Sequence, residues 1–142
     1  MNAIYKLTVA AGFGLALAAC QTTGDGGPAK NSLEETVALG GVMKTNADYI
    51  EERSKEFKRT YKTANGGEGV YVSYPDGKMM VDWGSGTDTG VWAIKGDTVC
   101  STWKKIRDGE ERCFVGYTMP DGSQRAYIAS SMKYNSTSWS AN

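Results

Sequence analysis

The sequence predicts a mostly β domain: an antiparallel six-stranded meander, a curled sheet or small barrel, with a short N-terminal helical segment. Three observations carry this expectation. From residue 65 onward apolar and polar residues alternate with a period of two. The alternating runs are short, and turns rich in Gly, Pro and Asp separate them at regular intervals. Connections that tight leave neighbouring strands only the antiparallel order, and curling protects the edges of the sheet.

Taken in order, residues 32–64 read as a helical or irregular N-terminal segment. Ser32-Leu33-Glu34-Glu35 fits a capping box at the start of a first short helix, which Gly40-Gly41 then breaks. A second helix is expected from Asn46 through about Lys58, with Ile50, Ser54, Phe57 and Tyr61 on one stripe and Glu51 placed to pair with Lys55. The run Glu56–Tyr61 also alternates well enough to be a first strand. Residues 65–129 form the β-domain, with strands at Gly69–Tyr74, Lys78–Trp83, Gly90–Lys95, Thr98–Trp103, Glu111–Thr118 and Gln124–Ala129. Pro75-Asp76-Gly77 and Pro120-Asp121-Gly122 are turns with a mechanism, because proline presets φ and glycine accepts positive φ. Residues 130–142 read as a loose tail in which Met132, Tyr134 and Trp139 are the side chains able to dock.

Cys100 and Cys113 are expected to form a disulfide that staples a small core. The bond restricts the register. A two-residue turn at Asp108-Gly109 would set Cys100 opposite Tyr117, leaving the sulfurs about 13 Å apart along the strands. Bridged Cα atoms usually lie about 4.4–6.8 Å apart. A wider loop over roughly Lys104–Gly109 is therefore expected. With no histidine in the chain and twelve residues between the two thiols, neither a zinc site nor a CxxC redox pair is indicated.

The leader places the domain. A short basic start precedes an apolar run from Leu7 to Ala19, 13 residues that are too few to span a bilayer as a helix. Residues 1–19 read as a lipoprotein signal peptide, because Leu17-Ala18-Ala19-Cys20 resembles a bacterial lipobox with Cys20 as the lipidation site. Gln21 follows the cysteine, where aspartate would favour the inner membrane; the expected location is the outer membrane, lipid-anchored and facing the periplasm. Residues 20–31 are Gly-rich and polar, a flexible tether. Without the leader 15 basic residues face 16 acidic ones, so no basic field invites nucleic acid.

The stretch Gly90-Val91-Trp92-Ala93-Ile94-Lys95-Gly96-Asp97-Thr98-Val99-Cys100, followed by Cys113-Phe114-Val115-Gly116-Tyr117, resembles exported proteobacterial proteins of the DUF995 family. The segment Tyr71–Gly77 fits the same pattern. The resemblance covers about residues 33–128; it implies the disulfide and the β-fold and brings no activity with it. The charged stretch Asp48–Lys62 departs from it, a shorter link being expected there.

Little in the chain suggests catalysis. There is no histidine, no G-x-S-x-G elbow and no cofactor or phosphate-loop signature. Asp76, Asp97, Asp108 and Asp121 sit where aspartate is good turn chemistry. Asp82, inside a strand beside Trp83, is the one unusual carboxylate, and an enzyme would need it to converge with Glu110 or Glu111. The aromatic load suits binding better, with Trp83, Trp103 and Asp82 as the candidate surface. The expected function is a non-catalytic binding or envelope-support role toward an envelope protein or glycan. The alternative is a small β-barrel inhibitor of a protease or lysozyme-like hydrolase.

Overall fold

The computed structural model describes residues 27–63, 65–136 and 138–141. The expected signal peptide, the expected lipidation site Cys20 and the first part of the expected tether lie outside the described residues. All six expected strands are present in one antiparallel sheet: β3 (Glu68–Ser73), β4 (Lys78–Asp82), β5 (Thr87–Lys95), β6 (Thr98–Trp103), β7 (Arg112–Thr118) and β8 (Gln124–Ile128). Both Pro-Asp-Gly turns form as expected. In each, the glycine N–H returns to a carbonyl three residues back, and the aspartate accepts from the backbone two residues on.

The strand count is a correction: ten strands, not six, are defined among the described residues. The added ones are β1 (Val42–Met43), β2 (Phe57–Lys62), β9 (Lys133–Tyr134) and β10 (Ser138–Ala141). The expected second helix ends early, and β2 takes its last two residues, Phe57 and Lys58. That helix, α2, stops at Arg53, where Ser54 closes it by donating its hydroxyl to the Glu51 carbonyl. The buried residue of α2 is Tyr49, whereas Ile50 of the expected stripe is 56% exposed. Phe57–Lys62 pairs along its whole length with β3. Strand pairing on both sides outweighs the helix propensity of the charged run.

The tail is also not loose. β9 pairs with β8, and β10 pairs with β2, so the chain passes from one end of the strand order to the other within a few residues. Strands β2 and β8 are thereby drawn together and the sheet curls into a half-barrel. Arg59 of β2 donates to the Gln124 side chain of β8 at 3.0 Å across the gap.

Two helices dress this sheet. α1 (Leu33–Ala38) starts at Ser32, whose hydroxyl accepts from Glu35 N–H; the Glu35 carboxylate reaches Asn31 N–H, one residue earlier than a capping box requires. It packs over β7 and β8 on the convex side. There Tyr127, fully buried, donates its hydroxyl to the carbonyls of Asn31 and Ser32. The Tyr127 ring stands edge-on to Tyr117 and Tyr134. α2 (Asn46–Arg53) has the full capping box, made by Thr45 and Asp48. Asp97, read as a turn residue, also holds α2: its carboxylate accepts from Asn46 N–H at 2.7 Å.

Where β6 begins, β7 continues upward without it. The freed C=O of Gly116 accepts from Lys44 N–H beside β1, and its N–H donates to the Tyr49 hydroxyl at 2.7 Å. A Cβ at position 116 would lie 2.8 Å from that hydroxyl. Gly116→Ala is therefore expected to push Tyr49 off the strand. Faster amide hydrogen exchange along α2 with unchanged protection in β3 and β4 is the predicted result.

Cys100 and Cys113 stand directly opposite one another and are bonded, with Cα atoms 3.8 Å apart. The connection is the wide loop that the register argument requires, containing a 3-10 turn, η1 (Ile106–Gly109). Removing the cross-link frees the unfolded chain, at a cost of about 3 kcal/mol for a loop of this size. Cys100→Ser should lower the thermal midpoint by several degrees, and the wild type under reductant should unfold like the variant.

Candidate functional site

Alternation along the strands decides which side chains face the hollow of the half-barrel. Phe57, Arg59 and Tyr61 point in from β2, Tyr71 from β3, Met79 and Val81 from β4 and Trp92 from β5. Val99, Ser101 and Trp103 follow from β6, with Arg112 and Phe114 from β7. Together with Arg53 from α2 and Arg107 from η1 they line a cavity of about 470 Å³. That lies in the range of small-molecule sites, about 300–1,000 Å³. A larger depression of about 690 Å³ lies between β1 and α2, but it is more open and its lining mixes exposed apolar, polar and charged side chains with no aromatic ring.

The cavity is aromatic and cationic. Tyr71 and Trp103 meet edge-to-face with centroids 6.1 Å apart. The Arg53 guanidinium lies 5.2–5.8 Å from the rings of Phe57, Trp92 and Tyr71, and that of Arg59 lies 4.0 Å from Phe57. Cation–ring attraction of this kind contributes about 0.5–2 kcal/mol when the charge is shielded from water. Six cations line the space, Lys44, Arg53, Arg59, Arg107, Arg112 and Arg125, and the one lining acid is Glu52. Burial works to raise the Glu52 pKa, but the hydrogen bond from Lys44 and the nearby arginines hold it below its ordinary value. Glu52 is shared by Lys44 at 2.9 Å and Arg59 at 3.2 Å.

Arg107 is held in an unusual way. It and Asp108 adopt left-handed backbone angles, with φ of 60° and 52°. Such a conformation costs a non-glycine residue about 1–2 kcal/mol. The loop is fixed by Asp88, 3% exposed, whose carboxylate accepts from the N–H groups of Thr89, Lys105 and Ile106. From there the Arg107 guanidinium reaches back to the carbonyl and hydroxyl of Ser101 at 3.1 and 2.9 Å. Gly90 makes room nearby, since a Cβ there would sit 2.2 Å from the Thr102 carbonyl.

Of the three expected surface residues the structure brings only Trp103 to the cavity. Trp83 lies outside it on the Trp83–Gly86 turn, 37% exposed, with its ring against Gly86. Asp82 accepts from Gly84 N–H at 2.7 Å, a local turn bond. Glu111, one of the two carboxylates expected to meet Asp82, instead pairs with Lys95 on the surface at 2.7 Å. Cys100, Glu111 and Cys113 lie close enough to resemble a metal cluster, but both sulfurs belong to the disulfide. The arginines and Asp88 were not singled out by the sequence. The signal for Arg59 was present: reading Phe57–Lys62 as a strand puts Phe57, Arg59 and Tyr61 on one face.

Comparison with known proteins gives no family model, curated protein or solved structure that matches this chain.

Burial works to raise the Asp88 pKa, yet the three backbone donors overcome it and hold the group below its ordinary value. A depressed folded-state pKa stabilises the fold above the ordinary aspartate range, and that contribution is lost as pH falls through the folded value. Asp88→Asn replaces one accepting oxygen by an NH2 donor that faces backbone N–H donors, and should cost about 1–3 kcal/mol at neutral pH. Thermal melts from neutral pH down to about pH 2 should show a smaller acid-induced loss in the variant than in the wild type.

Proposed function

We propose that this chain is a lipid-anchored domain of the outer membrane, facing the periplasm, that binds a small molecule in the hollow of its half-barrel without transforming it. The observation that carries the reading is the cavity itself, walled by aromatic rings and lined by six cations against one acid. Building such a space costs stability, because buried guanidinium groups lose water and the rings could otherwise have packed on one another. The absence of histidine from the sequence and the engagement of Asp82 and Glu111 elsewhere favour binding over catalysis. The leader and lipobox supply the location. The resemblance to DUF995 is consistent with export and adds no activity.

A second reading draws on a different feature. The loop between Cys100 and Cys113 is rigidly tied by Asp88 and the disulfide, and it presents Lys104 and Lys105 to solvent. A stapled, exposed loop of this kind suits an inhibitor of an exported hydrolase. Photo-crosslinking from position 105 in intact cells separates the two: a hydrolase joined at that loop favours inhibition, whereas the binding reading predicts none.

The anchor is tested by Cys20→Ser, which should abolish acyl labelling and remove the protein from the membrane fraction; unchanged labelling contradicts it. The binding role is tested by native mass spectrometry of the wild-type protein released from membranes. A small-molecule adduct lost on unfolding is expected. A bare protein mass in every preparation contradicts it.

A further inference from the structure

The geometry points to a small aromatic monoanion, an arylcarboxylate by class, as the ligand of the cavity, with Arg107 and Arg112 meeting its carboxylate. This rests on the cavity being the binding element and adds the chemistry of what it holds.

Charge comes first. The whole chain has a formal net charge of zero, yet its cavity gathers six cations around a single acid. That acid is already committed to Lys44 and Arg59, and Arg125 is paired with Glu35 at 2.8 Å. Arg53 is occupied by the Tyr71 and Ser73 hydroxyls and by the rings around it. Arg107, like Arg53, hydrogen-bonds neutral oxygens, here those of Ser101, but unlike Arg53 it lies over no ring among the described residues. Its Nε, like those of Arg53 and Arg59, is buried with no hydrogen-bond partner among the described residues. Leaving a buried donor unpaired is costly, and more so when the group is charged. Burial, followed by the neighbouring charge of Arg112, lowers the pKa of Arg107 against the opposing charge of Glu110, and a further anion there would offset the repulsion between the two arginines. Carboxylates suit the site, since a guanidinium offers parallel N–H groups that match their two oxygens.

Shape comes second. Seven rings line the space, Tyr49 from α2 and Phe57, Tyr61, Tyr71, Trp92, Trp103 and Phe114 from the sheet. Aliphatic lining is sparser, limited mainly to Met79, Val81, Val99 and Ile106. Rings that meet a ligand edge-on or offset favour a flat body over a flexible chain. Trp103 ends β6 and Arg107 follows four residues later, so the apolar wall and the charged head site are neighbours in the chain. Arg112, exposed at the start of β7 and opposite Ser101, stands at the mouth, where it can draw an anion inward. The strained Arg107 backbone fits this picture, because such conformations concentrate at ligand clamps.

The test is equilibrium dialysis of the full-length lipidated protein in nanodiscs, with empty nanodiscs as the control. The probes are 2-naphthoate and its neutral analogue 2-naphthalenemethanol. We expect 2-naphthoate to bind at least tenfold more tightly. Arg107→Gln should weaken naphthoate about tenfold while changing the alcohol less than twofold, and Arg107→Lys should recover part of the loss. Because Arg107 also ties its loop to Ser101, Arg112→Gln is the second variant, expected to weaken naphthoate alone by several fold. Equal binding of acid and alcohol overturns the anionic assignment and leaves the cavity as a binding site. Binding of neither probe overturns this assignment, and with no adduct in native mass spectrometry the binding role falls too.

Discussion

The pairing of Cys100 with Cys113 is the constraint on which the rest of the structure depends. Once these two residues face each other, the register of β6 on β7 is fixed, and a one-residue slip would turn every inward side chain outward. The same register dictates that eight or so residues must loop between the strands instead of two. That length gives η1, and η1 carries Arg107 back under Ser101 toward the hollow. A tight hairpin would have left no arginine there. Asp88 completes the constraint from the neighbouring strand by satisfying the N–H groups that open the loop.

The interior that results is expensive for a domain of this size. A small core has few apolar contacts to spare, and this one spends part of its volume on guanidinium groups. Compensation comes from three directions: Glu52 bridging Lys44 and Arg59, hydroxyls of Tyr71 and Ser73 on Arg53, and aromatic faces beneath the planar cations. These leave three buried Nε–H groups without partners among the described residues. Most of the conventional packing lies on the opposite face of the sheet. There Tyr127, Tyr117, Val115 and Tyr134 pack, and the hydroxyl of Tyr127 holds the segment that starts α1. The two faces of one sheet thus differ: one packs beneath α1, and the other opens on the cation-lined hollow.

Six strands and their turns were legible because each rests on local signals: period-two alternation and Pro-Asp-Gly chemistry. The disulfide loop was legible because covalent geometry excludes the short turn. The additional strands were not. β1 and β9 are two residues long, and β10 holds its place only by pairing with β2, far away in sequence. β2 was misread because Asn46–Lys58 supports helical spacing and alternation at once, and only pairing with β3 decides between them. The cations of the cavity were hidden for a related reason. Net charge sums over the chain, and a total of zero says nothing about six cations gathered by curvature. Trp103 was found because it stands out among aromatic residues; Trp83 and Asp82 stood out equally and are used in a turn.

The proposal that arginines of the open hollow take up an anion can be tested at their side-chain N–H groups, three of which are buried without a partner among the described residues. Arginine-selective proton–nitrogen NMR reads those donors directly. The account predicts three Nε–H resonances, from Arg53, Arg59 and Arg107, that exchange slowly with water, with that of Arg107 moving most when an arylcarboxylate is added. Rapid exchange of all three, with no movement on addition of the anion, would contradict it.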